Sequence, residues 1–272
     1  MAEVAWERLK AQELRRLAEE GAVVIIPVAS IEQHGPHLPV MVDTRLGQEI
    51  AHRAARLAYE TRPVVVTPVV WSGLSEHHMP FGGTLTLSHE TFRMVLRDLV
   101  VALTRHGFRD IVISNSHGGN IIACQQFIDE MAPKTDATLV FTCYPMEAAE
   151  EYKAILEDQE AMAHACEAET SMMMALEPGL VDDSELGQIA QEQGGARFLK
   201  AGKAGYRWRP FAHVTGNGLA GNPARASAEK GERLIEAGAE AVAALIRDPE
   251  TWAPPRDLRG EGTGGVAFRT EA

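Results

Sequence analysis

Cysteine is scarce in this chain. Only Cys124, Cys143 and Cys166 are present. An odd number at scattered positions excludes a disulfide framework and points to a reducing compartment, the cytoplasm. Basic charge is in deficit as well: 26 Lys and Arg stand against 38 Asp and Glu, for a net charge of −12. Nucleic acid is not expected as a partner, because phosphate binding needs a basic face. No apolar run approaches the length of a membrane span, so no membrane partner is expected. The opening MAEVAWERLKAQELRRLAEE has no secretory apolar core and reads as a charged amphipathic helix ending at Gly21. Internal repeats and low-complexity linkers are absent too.

What is present suits one large α/β domain. The 272 residues are 45% hydrophobic and 24% charged, ordinary values for a globular protein with a sizeable core. Residues 22–28 form a continuous apolar run, as in a strand buried on both faces. Residues 62–70, 110–114 and 138–142 repeat that signal. Between them lie helical spacings over 44–59, 91–106 and 121–131, the last with Asn120 as its expected cap. Helices follow over 167–176 and 225–246, with a glycine-rich loop over 193–222 and room there for a short strand. Strands alternating with helices predict a three-layer α/β/α sandwich around a mostly parallel sheet. Residues 1–272 read as one domain, and the Pro/Gly-rich tail from about 249 as an extension or oligomer arm.

Ligands of such sheets bind beyond the C-terminal strand ends, which draws attention to the loops after strands one, two and three. The first holds Glu32, His34, His37 and Asp43. Glu32 and His34 are two apart, so in extended chain both face one centre. A mixed carboxylate and imidazole set suits zinc, manganese or iron rather than calcium. Asp43 taken alone fits a helix cap equally well. The third loop reads His117-Gly118-Gly119-Asn120, where glycines let the backbone approach a ligand; a plain turn feeding a helix has the same composition. Residues 72–84, with Ser75 and His78, have the donors of a substrate-facing loop and equally those of an ordinary surface loop. His164, Glu167 and Glu169 cluster at a helix start, where the dipole alone would favour carboxylates. His164 is suited to carrying a proton near neutrality.

Taken together, these motifs resemble the creatininase (creatinine amidohydrolase) family. The carrying residues are Ser30 to Pro39 with Asp43-Thr44, Ser75 to Thr84, His117 to Asn120 and His164 to Ser171. Gly221-Asn222-Pro223-Ala224 running into Glu229-Lys230-Gly231 adds to the match, so that it spans roughly residues 22–245. The resemblance implies a binuclear centre of divalent ions, bridged by Asp43. Glu32 and His117 would complete one position and His34 the other, with an acid as partner. Creatininase proper carries that acid two residues after its third-strand His, where this chain has Gly119. Glu167 is the preferred substitute and Glu169 the second choice, Glu169 also being a catalytic candidate. Creatininase proper also has a Trp-Asp pair where this chain has Glu160-Ala161, which sets the chain apart from creatinine hydrolysis. Other branches of the family hydrolyse formamides, trim peptides or open an oxidised inositol ring.

The implied reaction is hydrolysis of a cyclic or linear amide in a small molecule by metal-activated water. His164 would protonate the leaving nitrogen, while Ser75, His78, Gly118 and Gly119 orient the substrate. The resemblance further implies a homo-oligomer, often a hexamer. Three other readings stand beside this one: a hydrolase of a C–C bond or ring ketone, a Cys166–His164 amidase, and a non-catalytic metal or metabolite binder.

Overall fold

The computed structural model describes residues 2–190 and 205–265. Its sheet has four parallel strands, β1 (Val23–Val28), β2 (Val64–Val66), β3 (Asp110–Asn115) and β4 (Thr138–Cys143), in the order β2-β1-β3-β4. β2 is much shorter than the expected 62–70. Pro63 and Pro68 bracket it, and proline has no N–H to give a ladder. The chain returns to the sheet edge only at Val70, which exchanges backbone hydrogen bonds with Pro27 and Ala29.

Alternate side chains of each strand feed two separate cores. Val23 and Ile25 of β1, Val64 and Val66 of β2 and Val112 of β3 face one core. Val24, Ile26, Val28, Val65, Ile111 and Ile113 face the other. This is why all four runs read as continuously apolar: both faces are covered.

Helices α1 (Ala11–Glu19), α3 (His89–Arg105) and α4 (Ile121–Met131) cover the second face, through Leu17, Leu96 and Phe127 among others. The first face carries α2 (Val42–Ala58), α5 (Tyr144–Glu147), α6 (Ala149–Ile155), α7 (Glu167–Leu176) and α9 (Ala228–Arg247). Short helices α8 (Leu186–Ile189) and α10 (Pro249–Trp252) complete the set among the described residues. The result is the expected α/β/α sandwich. α9 begins at 228 rather than 225 because Ser227 caps it, accepting the Lys230 N–H at 3.3 Å. α7 and α9 approach closely at Gly231, where any Cβ would collide with the Ser171 carbonyl.

Of the glycine-rich stretch 193–222, residues 193–204 lie outside the described residues. The rest is loop with one 3-10 turn, Phe211–His213, and its only strand-like feature is a bridge between Ala220 and His164. Among the described residues no helix is long and apolar enough to cross a membrane.

Candidate metal centre

β1 has β2 on one side and β3 on the other, so strand order reverses beside it. A crevice opens at such a switch point, beyond the strand C-termini. The loop after β1 and the loop after β3 leave the sheet side by side there. Glu32 and His34 come from the first, His117 from the second.

Asp43 reaches the same place on the first turn of α2. The sequence suits it to a cap, but the cap position is Met41 and no side chain caps the helix. The Asp43 carboxylate is therefore free to point inward. Two bonds hold the start of α2 there: Thr44 Oγ1 donates to the Ser30 carbonyl at 2.8 Å, and Ser116 Oγ to the Asp43 carbonyl at 2.8 Å.

His34 Nδ1 lies 3.0 Å from the Glu32 carbonyl, which keeps a ring proton on Nδ1 and turns Nε2 toward the crevice. That Nε2 faces Asp43 Oδ1 at 3.5 Å and Glu169 Oε1 at 3.8 Å. His117 is turned the other way. Its Nε2 lies 3.2 Å from the Leu74 carbonyl and 3.1 Å from Ser75 Oγ, so Nδ1 is the open nitrogen. Nδ1 faces Glu32 Oε2 and Asp43 Oδ2, each at 3.2 Å. Glu32 Oε2, His34 Nε2 and Asp43 Oδ2 are buried without a hydrogen-bond partner. Buried polar atoms are rarely left so. Two triads result, each with ligand atoms within 4.8 Å of one another: Glu32, Asp43, His117 and His34, Asp43, Glu169. Asp43 belongs to both. A third group of the same kind joins Glu32 and His34 to His164.

The electrostatics match. Burial pulls His34 down, but the carboxylates of Asp43, Glu169 and Glu32 outweigh it and hold the imidazole at about 9. His117 is likewise raised against its burial by Glu32 and Asp43. Burial would raise Glu32, yet His117 and His78 hold it well below the usual carboxylate range. Burial, opposed by His34 and assisted by Asp43, pushes Glu169 up to about 7.

Glu167, the expected acid ligand, is elsewhere. Its carboxylate accepts the N–H groups of Glu157 and Asp158 and pairs with Lys230 Nζ at 2.7 Å. Glu169 takes the place beside His34, and the Ala165 N–H, at 2.5 Å from Oε2, turns Oε1 toward that imidazole. Glu167 and Glu169 are two apart on a helix, so they point about 200° apart and only one can face the crevice. Gly119 could not have supplied the acid, because a Cβ there would strike the Leu74 carbonyl and the His117 ring.

Ser75, expected at the substrate, sits fully buried behind His117, with its Oγ 2.5 Å from Ser30 Oγ. His78 is buried too, its Nε2 3.2 Å from Glu32 Oε1. Gly118 is exposed at the rim with open space around it, and Gly119 lies beneath. Asn120 does not cap α4; its side chain ties Leu74 N–H to the Ala29 carbonyl. His164 Nδ1 faces Glu32 Oε1 at 3.5 Å. Its side chain is 14% exposed, against 4% or less for Glu32, His34, Asp43 and His117, so the approach to the centre runs past His164. Burial, with His34 beside it, lowers His164 to about 3. Cys166 is fully buried and its thiol is pushed up to about 11 by that burial, which argues against a cysteine nucleophile. No local pattern singles out Phe211, whose ring lies 4.5 Å from that of His78 and 5.0 Å from that of His164, walling the approach.

Comparison with known proteins agrees with this geometry. The creatininase (creatinine amidohydrolase) family profile matches residues 7–246. The mycofactocin precursor peptide peptidase of Mycolicibacterium smegmatis is 30% identical over 89% of this chain and 90% of its own length. The 3-dehydro-scyllo-inosose hydrolase of Thermotoga maritima is 27% identical over 94% of this chain and 88% of its own. A solved structure, "Creatininase Mn", superposes with a TM-score of 0.74 at 26% identity, covering 90% of this chain and 98% of that one. This chain belongs to the creatininase family and is a metal-dependent hydrolase of the amidohydrolase type.

Proposed function

We propose that the chain, as a single catalytic domain, hydrolyses a C–N bond of a small amide, cyclic or linear, at a binuclear centre. The observation that carries this is the pair of triads sharing Asp43. Glu32, Asp43 and His117 would hold one divalent ion, and His34, Asp43 and Glu169 the other. The residues fit such ions: three buried ligand atoms without partners converge there, in a nitrogen and oxygen set that zinc, manganese and iron all accept. When bound, the ions supply Lewis acidity and lower the pKa of a coordinated water toward neutrality.

The chain's own groups do the rest. His34 and His117 keep their lone pairs on the centre through the backbone carbonyls of Glu32 and Leu74. His164, open at Nδ1 and nearest the approach, takes the proton of the attacking water and gives it to the leaving nitrogen. The open rim at Gly118 accommodates the substrate's outer part, and Phe211, against His78 and His164, limits water. A homo-oligomer, of hexameric order, completes the proposal; exposed Val40, Trp71, Met79 and Leu85 give apolar surface for contacts between copies, and light scattering checks the assembly.

Turnover of lactams, formamides and short peptides, with and without chelator, tests the reading. Chelator-sensitive release of amine from one class supports it, and no amide turnover by fully metallated protein refutes it. The likeness to an inosose hydrolase favours one second reading, a ring ketone cleaved at the same centre, so a cyclic ketone belongs in the panel.

A further inference from the structure

Gln33 lies between Glu32 and His34, but its side chain does not face the ions' place. Its Oε1 accepts the Gly35 N–H at 2.9 Å, which settles which end of the amide is which. The nitrogen end lies 2.8 Å from His78 Nδ1 and 3.1 Å from the Gly218 carbonyl. A carboxamide has two N–H donors, and these acceptors use both. His78 Nδ1 must then be unprotonated. The ring proton sits on Nε2, where it faces Glu32 Oε1 at 3.2 Å.

The main chain of the same residue fixes a second histidine. The Gln33 carbonyl accepts from His164 Nε2 at 2.8 Å. That leaves His164 Nδ1 open toward Glu32 Oε1. The amide nitrogen also lies 3.1 Å from His164 Nε2, but two donor nitrogens share no bond there. The clamp is braced from outside. Gln33 N–H donates to Thr84 Oγ1 at 3.2 Å. Gly218, at φ 87°, leaves no room for a side chain, because a Cβ would strike Gln33 Oε1.

We propose that Gln33 is a positioning residue that fixes the tautomers of His78 and His164, making His78 a hydrogen-bond donor to Glu32 and His164 an open base. This rests on the reading above that Glu32 is a metal ligand and His164 the proton carrier.

The test uses the zinc-loaded protein with ring-15N histidine, observed by long-range 1H–15N correlation, with the His78 signals assigned through His78→Asn. The wild-type protein should show His78 protonated at Nε2. In Gln33→Glu the carboxylate needs a donor, so the proton should move to Nδ1. Zinc affinity, read by competition with a chelating dye, should fall about 10–100-fold as Glu32 loses its orienting donor. Gly218→Ala, which displaces the carboxamide without changing it, should mix the two His78 tautomers. An Nδ1-protonated His78 in the wild type, or an unchanged tautomer in both variants, overturns the proposal. Failure of the wild type to bind zinc would sink the metal reading alone, and the tautomer comparison on the metal-free protein would still decide the part played by Gln33.

Discussion

His34 Nε2 faces Asp43 Oδ1 across 3.5 Å, and both side chains are buried. That separation is too long for a good hydrogen bond and too short for two bare lone pairs to coexist without a cation or a proton between them. A proton held there in the metal-free protein would have to leave before His34 could ligate an ion.

This gives a pH dependence of known sign. His34 is raised to about 9 and His117 also lies above its ordinary value, so both are protonated in the metal-free protein at neutral pH. Metal uptake at pH 7 must therefore release protons, and affinity must rise with pH until about 9. Calorimetric titration of zinc in buffers of different ionisation enthalpy measures the release. Apparent enthalpies that do not depend on the buffer would contradict this account. The same ionised pairs stabilise the metal-free fold below the unfolded histidine pKa, and that contribution fades as pH climbs through 9.

Glu169 and Glu167 separate function from stability. Glu169→Gln should cut metal affinity about 10–100-fold with little change in melting temperature. Glu167→Gln should leave metal content intact but weaken the pair with Lys230 and the bonds to the 157–158 backbone. Weakening such a partly buried pair costs about 1–3 kcal/mol, which thermal unfolding of metal-loaded protein would read as a lowered melting temperature. Reversed behaviour of the two variants would return Glu167 to the centre.

Gly119→Ala should damage the site without touching a ligand. The added methyl group meets the His117 ring and the Leu74 carbonyl. Overpacking of this kind costs about 1–3 kcal/mol, and the displaced His117 should lower metal content. Metal analysis and thermal unfolding on the same sample check both. A variant with wild-type stability and metal content would mean the His117 ring has room that the structure denies.

Ala165 sits at φ 53°, a left-handed conformation that non-glycine residues adopt at a cost. Its N–H holds Glu169. Ala165→Gly should retain activity and shift stability by no more than about 1 kcal/mol, whereas Ala165→Val should destabilise by more than that and reduce metal affinity. Equal melting temperatures for the two variants would refute the strain.

The sequence carried the sheet well because its strands are apolar on both faces, and α4 and α7 fall where the spacing puts them. The convergence of Glu32, His34, Asp43 and His117 is legible because chemistry-bearing residues cluster at strand ends. Glu167 lies away from the cluster for a plain reason. Spacing says that the two acids diverge, but which one turns inward depends on how α7 is rolled against α9. The burial of Ser75, His78 and Asn120 is not legible either, since a loop's composition does not say whether its polar groups face solvent or the interior. Phe211 and the clamp at Gln33 depend on contacts between residues distant in sequence, which no local pattern records.

Metal analysis of the wild-type protein beside Asp43→Asn tests the shared carboxylate most directly. The wild-type chain should carry about two divalent ions, and the folded variant at most a residual single ion with turnover reduced at least about 100-fold. Asp43→Asn protein that keeps its full metal complement and full turnover would contradict it.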